Sequence, residues 1–321
     1  MDRKDTMCLR CVAILLILNS HMDQFYPCPA IGTGGAIGNA IFFALSSFGL
    51  VLSLQRTPIP FSQWWVKRIF RIYPAVWVAL VVYWFPLELL TCPDMPTGIF
   101  ALLGHFFYPP FWFLQALLAF YPIAYVLAKS GRGQAPIIVL AVTLILYCMF
   151  YLTVVDTSRW SVEEFPFKMF SCLLYFILGA WLAQRNPEIR YKGPVDGVIL
   201  VGLLLAIYGH KYLMSRGWLD SLQALEQLLL LPLVFYALKV SRSDFVTKRL
   251  MAPGPVASVI TIISTLTLEI YMVHTTIKRP LMTFDLPFPA GALVFVGLTL
   301  VLAAVTHWMG GKLRSCIDTL G

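Results

Sequence analysis

Charge is scarce in this chain: Asp, Glu, Lys and Arg together make up 12% of its 321 residues, about half the share in a typical soluble domain. With 59% hydrophobic residues and a mean hydropathy of +0.77, that scarcity excludes a water-soluble fold. A chain of this size keeps too much surface exposed to hide so much apolar material from water. Cysteine is sparse as well, seven residues in all, which excludes a disulfide-dense secreted scaffold. No repeat period, low-complexity tract or soluble domain is visible. The longest extramembrane stretches are near 55–71, 154–165 and 185–193. The net charge of +8 does not indicate a nucleic-acid partner, because in a membrane protein the same excess belongs beside cytoplasmic helix ends.

What is present is a series of long apolar runs. A membrane helix needs about 20 mostly apolar residues, and runs of that kind lie near 7–26, 35–54, 72–90, 111–128, 135–153, 166–184, 194–209, 219–239, 256–277 and 288–309. The expected fold is therefore all-α and polytopic, a single membrane domain over 1–321 with about ten transmembrane helices. The apolar piece 99–108, between Gly98 and Pro109-Pro110, is too short to cross and reads as a re-entrant or surface segment. With the N-terminus inside, eighteen of the 24 lysines and arginines fall on the inner side. The positive-inside rule then places both termini in the cytoplasm. The first run lacks a small-residue cleavage site, having Asn19, Ser20, His21 and Asp23 in its place, and is expected to be a retained helix rather than a leader.

Ionisable groups inside spans are expensive unless paired or facing water, so each is a candidate functional residue. Arg10 and His21 lie eleven residues apart, three turns plus about 20°, so they share a helix face roughly 16 Å apart. Lys67, Arg68 and Arg71 follow the second run, and the two arginines are helix neighbours. A guanidinium fork at the inner surface suits phosphate, although snorkelling anchors beside Trp64 and Trp65 share the same pattern. In the ninth run, Ser264, Thr267, Tyr271 and His274 are spaced as one polar stripe. Helix packing accounts for the Ser and Thr but leaves Glu269 and His274 unexplained. His274 approaches the outer level of His21, and histidine is the usual group for activating a hydroxyl near neutral pH.

Weaker signals complete the survey. His105 and Trp112 flank Pro109-Pro110 and are candidates to roof an outward cavity. Gly32 to Gly38 misses a dinucleotide fingerprint and is expected to be a tight outer turn. Cys8 and Cys11 form a lone C-x-x-C without a second pair, so no metal is expected. Cys28 and Cys92 both fall in outer loops, where a disulfide is conceivable. Glu226 is buried by position, with no partner evident in the sequence.

These residues, taken together, resemble the acyltransferase-3 family of integral-membrane acyltransferases, which includes bacterial polysaccharide O-acetyltransferases. Leu9-Arg10-Cys11-Val12-Ala13-Ile14 with His21 is similar to the family's Arg, ten residues, His signature. Phe42-Phe43-Ala44-Leu45-Ser46-Ser47-Phe48 resembles its Phe-Phe-x-Leu-Ser-Gly-Phe segment, with Ser47 in place of the glycine. Lys67-Arg68-Ile69-Phe70-Arg71-Ile72-Tyr73-Pro74 is similar to its basic stretch, with Lys67 where arginine is frequent. Phe111-Trp112-Phe113-Leu114 and the run from Ser264 to His274 resemble its Trp-Phe-Leu and Ser-x-Glu-Ile-Tyr-Leu-x-His patterns. Without an appended esterase-like domain, the chain looks like a compact member.

The resemblance implies transfer of an acyl group, acetyl above all, from cytosolic acetyl-CoA to a sugar hydroxyl of a surface or lipid-linked glycan, in a bacterial inner membrane. It implies that Arg68 and Arg71, with Lys67, hold the coenzyme's phosphates and that Arg10 stands at the mouth of a passage. His21 would be the general base, with Tyr271, His274 or Ser46 near the oxyanion and Glu269 orienting a histidine or pairing with an arginine. Membrane lipids and the glycan acceptor are the expected partners. The rival is a transporter or flippase whose path these residues line, but its hallmark of paired halves with broken helices is not visible. A structural scaffold would leave His21 and Glu269 without a purpose.

Overall fold

The computed structural model describes residues 3–91, 98–130, 134–155, 162, 164 and 167–320. Among these residues there are thirteen α-helices and no strand. Eight helices are long and apolar enough to cross a membrane, and a bent helix pair makes a ninth candidate. The first helix, α1 (Arg3–Ser20), adds a shorter apolar segment, Thr6–Ser20. The chain is an all-α polytopic membrane protein, and each expected run coincides with one of these elements. Two faces confirm that lipid is the solvent: only 17% of the apolar window of Ala135–Val154 and 11% of that of Pro194–Ser215 is covered by protein. Ile138, Val142, Ile145 and Leu152 on the first, and Val198, Val201 and Leu205 on the second, are exposed. Apolar surface of that extent requires hydrocarbon around it.

The chain divides into two compact units. The first comprises Met1–Ala13, Ala36–Pro58 and Ala116–Thr261. It holds most of α2 (Gly35–Arg56) and α6 (Trp112–Lys129), together with α7 (Ala135–Val154), α8 (Phe167–Gln184), α9 (Pro194–Ser215) and α10 (Gln223–Val240). Its helices approach closely where side chains are smallest. A Cβ on Gly179 would lie 2.0 Å from the Ala44 carbonyl oxygen, so α8 meets α2 at backbone contact. The family's segment has a glycine where Ser47 stands; here the close approach is made from the α8 side. Buried charges in this unit are paired, as the membrane demands: Asp196 with Lys239, and Glu226 with Lys211 at 3.1 Å. The partner of Glu226 is a lysine about one turn from the end of α9, which sequence spacing did not disclose.

The second unit comprises Ile14–Gly35, Ile59–Gln115 and Ile262–Gly321. Its spine is a 31-residue run, Phe61–Thr91, made of α3 (Phe61–Ala79), a π-helical turn (Leu80–Trp84) and α4 (Phe85–Thr91). Pro86 has no N–H to return to the preceding turn, and the π turn sits directly before it, which is how a helix absorbs such a break. This run starts at Phe61 rather than near 72, so the basic stretch expected in a connecting segment is helical and continuous with the span. α5 (Ile99–Phe107) is short, as expected, and its last carbonyls accept from Tyr73 Oη (Phe107, 2.8 Å) and Trp77 Nε1 (Phe106, 3.1 Å). The unit ends with α12 (Thr267–Met282) and α13 (Ala290–Leu320), preceded by α11 (Pro255–Thr265).

Candidate active site

The ninth expected span is broken: α11 and α12 meet at an angle of 69° at Leu266. The polar stripe from Ser264 to His274 is therefore not one helical face. Ser264 ends α11, while Thr267, Tyr271 and His274 rise along α12, and spacing alone does not reveal a bend made by tertiary packing. The break puts Glu269 in the first turn of α12, where a carboxylate faces unsatisfied N–H groups.

His21 and His274 meet. His21 stands in the turn that closes α1, and its ring lies edge-on to that of His274 with centroids 4.6 Å apart. His274 is fully buried. Its Nδ1 lies 3.0 Å from the Ile270 carbonyl oxygen; an acceptor there fixes the proton on Nδ1 and leaves Nε2 as a lone pair. That Nε2 is buried without a protein partner. Tyr271 is buried three residues earlier, about one turn back along α12, its ring 5.5 Å from His274 and 4.7 Å from Phe113 at the start of α6. The convergence expected of the two histidines is thus present within one unit.

Beside them is a polar cavity of about 290 Å³, into which His21 projects. Trp84, delivered by the π turn, and Phe111 form its apolar walls, and Glu88, Thr275, Thr276, Lys278 and Arg279 its polar ones. The expected roof residues play other parts: His105 packs edge-on against Trp84, with centroids 4.9 Å apart, and Trp112 lies against Tyr271. Lys278 Nζ bonds Asp23 Oδ1 at 2.8 Å, and Arg279 faces Glu88 across 3.7 Å. Partial burial pushes the Asp23 carboxyl up, but the hydrogen bond and charge of Lys278 outweigh it and hold the group below its ordinary range. In the sequence, Lys278 and Arg279 are simply two of the six lysines and arginines on the outer side. Their distance of four and five residues from His274, on a helix, was the available signal.

The turn that carries His21 is tightly built. Asn19 Nδ2 donates to the carbonyls of Ile31 and Thr33 at 2.8 and 2.9 Å, and Phe25 is buried against Phe295. A Cβ on Gly32 would sit 2.6 Å from Asp23 Cα, and Gly34 has φ +101°. Of the segment expected to be a tight turn, Gly32 to Gly34 form one and let the backbone close over residues 21–25, whereas Gly35 to Gly38 open α2 instead. The possible partner of Cys28, Cys92, lies outside the described residues.

Glu269 does not face His274. Its Oε1 lies 2.8 Å from Nδ1 of His307 on α13, a residue that no sequence pattern singles out. Tyr83 of the π turn is buried in the same unit. Lys67, Arg68 and Arg71 occupy the first half of α3. Lys67 and Arg71 are exposed, and the Arg68 guanidinium lies over the ring of buried Trp64 at 5.8 Å. Arg71 and Trp84 are thirteen residues apart on one nearly continuous helix, about 20 Å. Arg10 belongs to the first unit, half-buried, its guanidinium 3.8 Å from where a Cβ on Gly49 would stand. Ser46 is half-buried in that same unit.

A helical membrane protein that presents an imidazole, packed against a second buried one, to a small polar cavity is built like a membrane enzyme rather than a scaffold. The family model described as an acyltransferase domain matches residues 7–308, nearly the whole chain, and the protein belongs to that family, acyltransferase 3: it is a membrane acyltransferase. No curated protein and no solved structure matches the chain.

Proposed function

We propose that this acyltransferase moves an acetyl group from cytosolic acetyl-CoA to a hydroxyl of a sugar in a surface or lipid-linked glycan, and that it does so in a bacterial inner membrane with both termini in the cytoplasm. The observation that carries the reading is the cavity: His21, backed by His274, opens into about 290 Å³ walled by Trp84 and Phe111 and by hydrogen-bonding side chains. That volume lies at the small end of ligand sites and suits one sugar ring. Flat aromatic faces receive the ring's C–H surface, and the polar side chains receive its hydroxyls.

Arg68 and Arg71, with Lys67 beside them, hold the phosphates of the donor, a task for which guanidinium forks are well shaped. The separation of about 20 Å along the α3–α4 run leaves an extended acyl-bearing arm to reach from those arginines to the cavity. His21 accepts the proton of the acceptor hydroxyl as its oxygen forms a bond to the thioester carbonyl carbon. The carbon–sulfur bond then breaks, and the thiolate leaves and takes up a proton. His274, whose proton is held on Nδ1, orients the His21 ring through their edge-on contact. Tyr271 serves the developing oxyanion in this reading, an interaction worth several kcal/mol where it is preorganised. Glu269 acts at a distance, by tying α12 to α13 through His307.

The test is release of coenzyme A thiol from acetyl-CoA by the purified protein in lipid discs with a glycan extract. Wild type is expected to release thiol, His21→Ala to bind the donor without turning it over, and Arg68→Ala to bind it weakly. A wild type that neither binds nor consumes acetyl-CoA would sink the reading and bring the transporter forward.

A further inference from the structure

We infer that Lys278 and Asp23 form a latch that positions His21 over His274, so that Lys278 is a positioning residue for acyl transfer. This rests on the reading of His21 as the general base. Asp23 follows His21 by two residues, in the short 3-10 turn Asp23–Phe25. Lys278 follows His274 by four residues on α12, one turn along the same face. Their 2.8 Å bond joins segments 255 residues apart in sequence, and each segment carries one of the two imidazoles.

The rest of the turn is fixed by other means. Asn19 ties it to the glycine segment, and Phe25 anchors it to Phe295 on α13. Neither contact reaches α12, whereas the Lys278–Asp23 bond does, and Lys278 itself lines the cavity. With side chains 19% and 39% exposed, the pair is too wet to add much stability, so its effect is expected in geometry. A reacting group displaced by about 1 Å can lose about 100-fold in rate, and a base held by a ring contact 4.6 Å across has little room to drift.

The full-length protein in lipid discs serves for the test, with kcat, the KM for acetyl-CoA and the melting temperature measured for Lys278→Met, Asp23→Asn, the double variant, Lys278→Arg and His21→Ala. The latch predicts that each single variant loses about 10- to 100-fold in kcat with donor KM unchanged and melting temperature only slightly lowered. It also predicts that the double variant is no slower than the slower single and that Lys278→Arg keeps most of the activity. It is overturned if Lys278→Met retains wild-type kcat, if the two losses multiply, or if they only follow a fall in melting temperature. If His21→Ala remains active, the reading of His21 fails instead, and the two failures stay distinct.

Discussion

Removing His307 should harm the protein more than removing the acid it holds. The two partners are unequally exposed: the Glu269 side chain is 7% exposed and that of His307 48%, at 2.8 Å from each other. Loss of His307 strands a buried carboxylate, whose Oε2 has no protein partner even in the intact structure. Losing one partner of a fully buried pair costs about 3–5 kcal/mol; with one member half exposed, His307→Ala is expected to cost about 2–4 kcal/mol. Glu269→Leu instead removes the buried charge, and His307 can turn its ring to the interface, so the expected cost is under about 1 kcal/mol. In the double variant the penalty of the stranded acid disappears, and its stability should equal that of Glu269→Leu alone, a strongly non-additive cycle. Thermal unfolding of the four proteins in one detergent, followed by tryptophan fluorescence, reads the order directly. At about 2–4 °C per kcal/mol, His307→Ala should melt roughly 5–15 °C below wild type. Equal melting of His307→Ala and Glu269→Leu, or additive losses, would refute the assignment of Glu269 as a buried acid dependent on His307.

Four further outcomes follow from single residues. Gly179→Ala must push the Ala44 backbone away from 2.0 Å and is expected to cost about 3 kcal/mol or more. Gly49→Ala meets only an ordinary 3.8 Å neighbour and should melt like wild type in the same assay. The Asp23 carboxyl is held below its ordinary range, so its contribution is complete above that range and is lost as pH falls through the lowered value. The small effect of Lys278→Met on melting temperature should then be present at neutral pH and shrink as pH falls through the carboxyl's lowered range. Arg68→Lys keeps the charge but not the fork, and should raise the KM for acetyl-CoA several-fold in steady-state kinetics while leaving kcat nearly intact.

Much of this architecture is legible in the sequence because hydrocarbon imposes a simple rule: every span must be long, apolar and helical. The ten runs follow from that alone, and the pairing of His21 with His274 follows from two imidazoles assigned to one depth. What stays hidden depends on partners distant in sequence. His307 has no periodicity to mark it, and only the need of Glu269 for a partner pointed to a residue of its kind. The bend at Leu266 has no proline or glycine to announce it, so a stripe spaced for one helix divides between two. The cavity wall was misassigned for a similar reason. Sequence placed His105 and Trp112 by their prolines, whereas the π turn before Pro86 brings in Trp84 instead. Lys278 and Asp23 matter through a contact 255 residues apart, a pairing that no sequence spacing announces.

The central claim is acyl transfer to a glycan through His21, and the most direct measurement is the transfer of radiolabelled acetyl from acetyl-CoA into the glycan fraction. It would use inverted membrane vesicles, which expose the cytoplasmic face, carrying either the wild type or His21→Ala at equal abundance. The account predicts label in the glycan with wild type and a loss of about 100-fold or more with His21→Ala. Equal labelling by the two proteins, or wild-type vesicles that leave the glycan unlabelled, would contradict it.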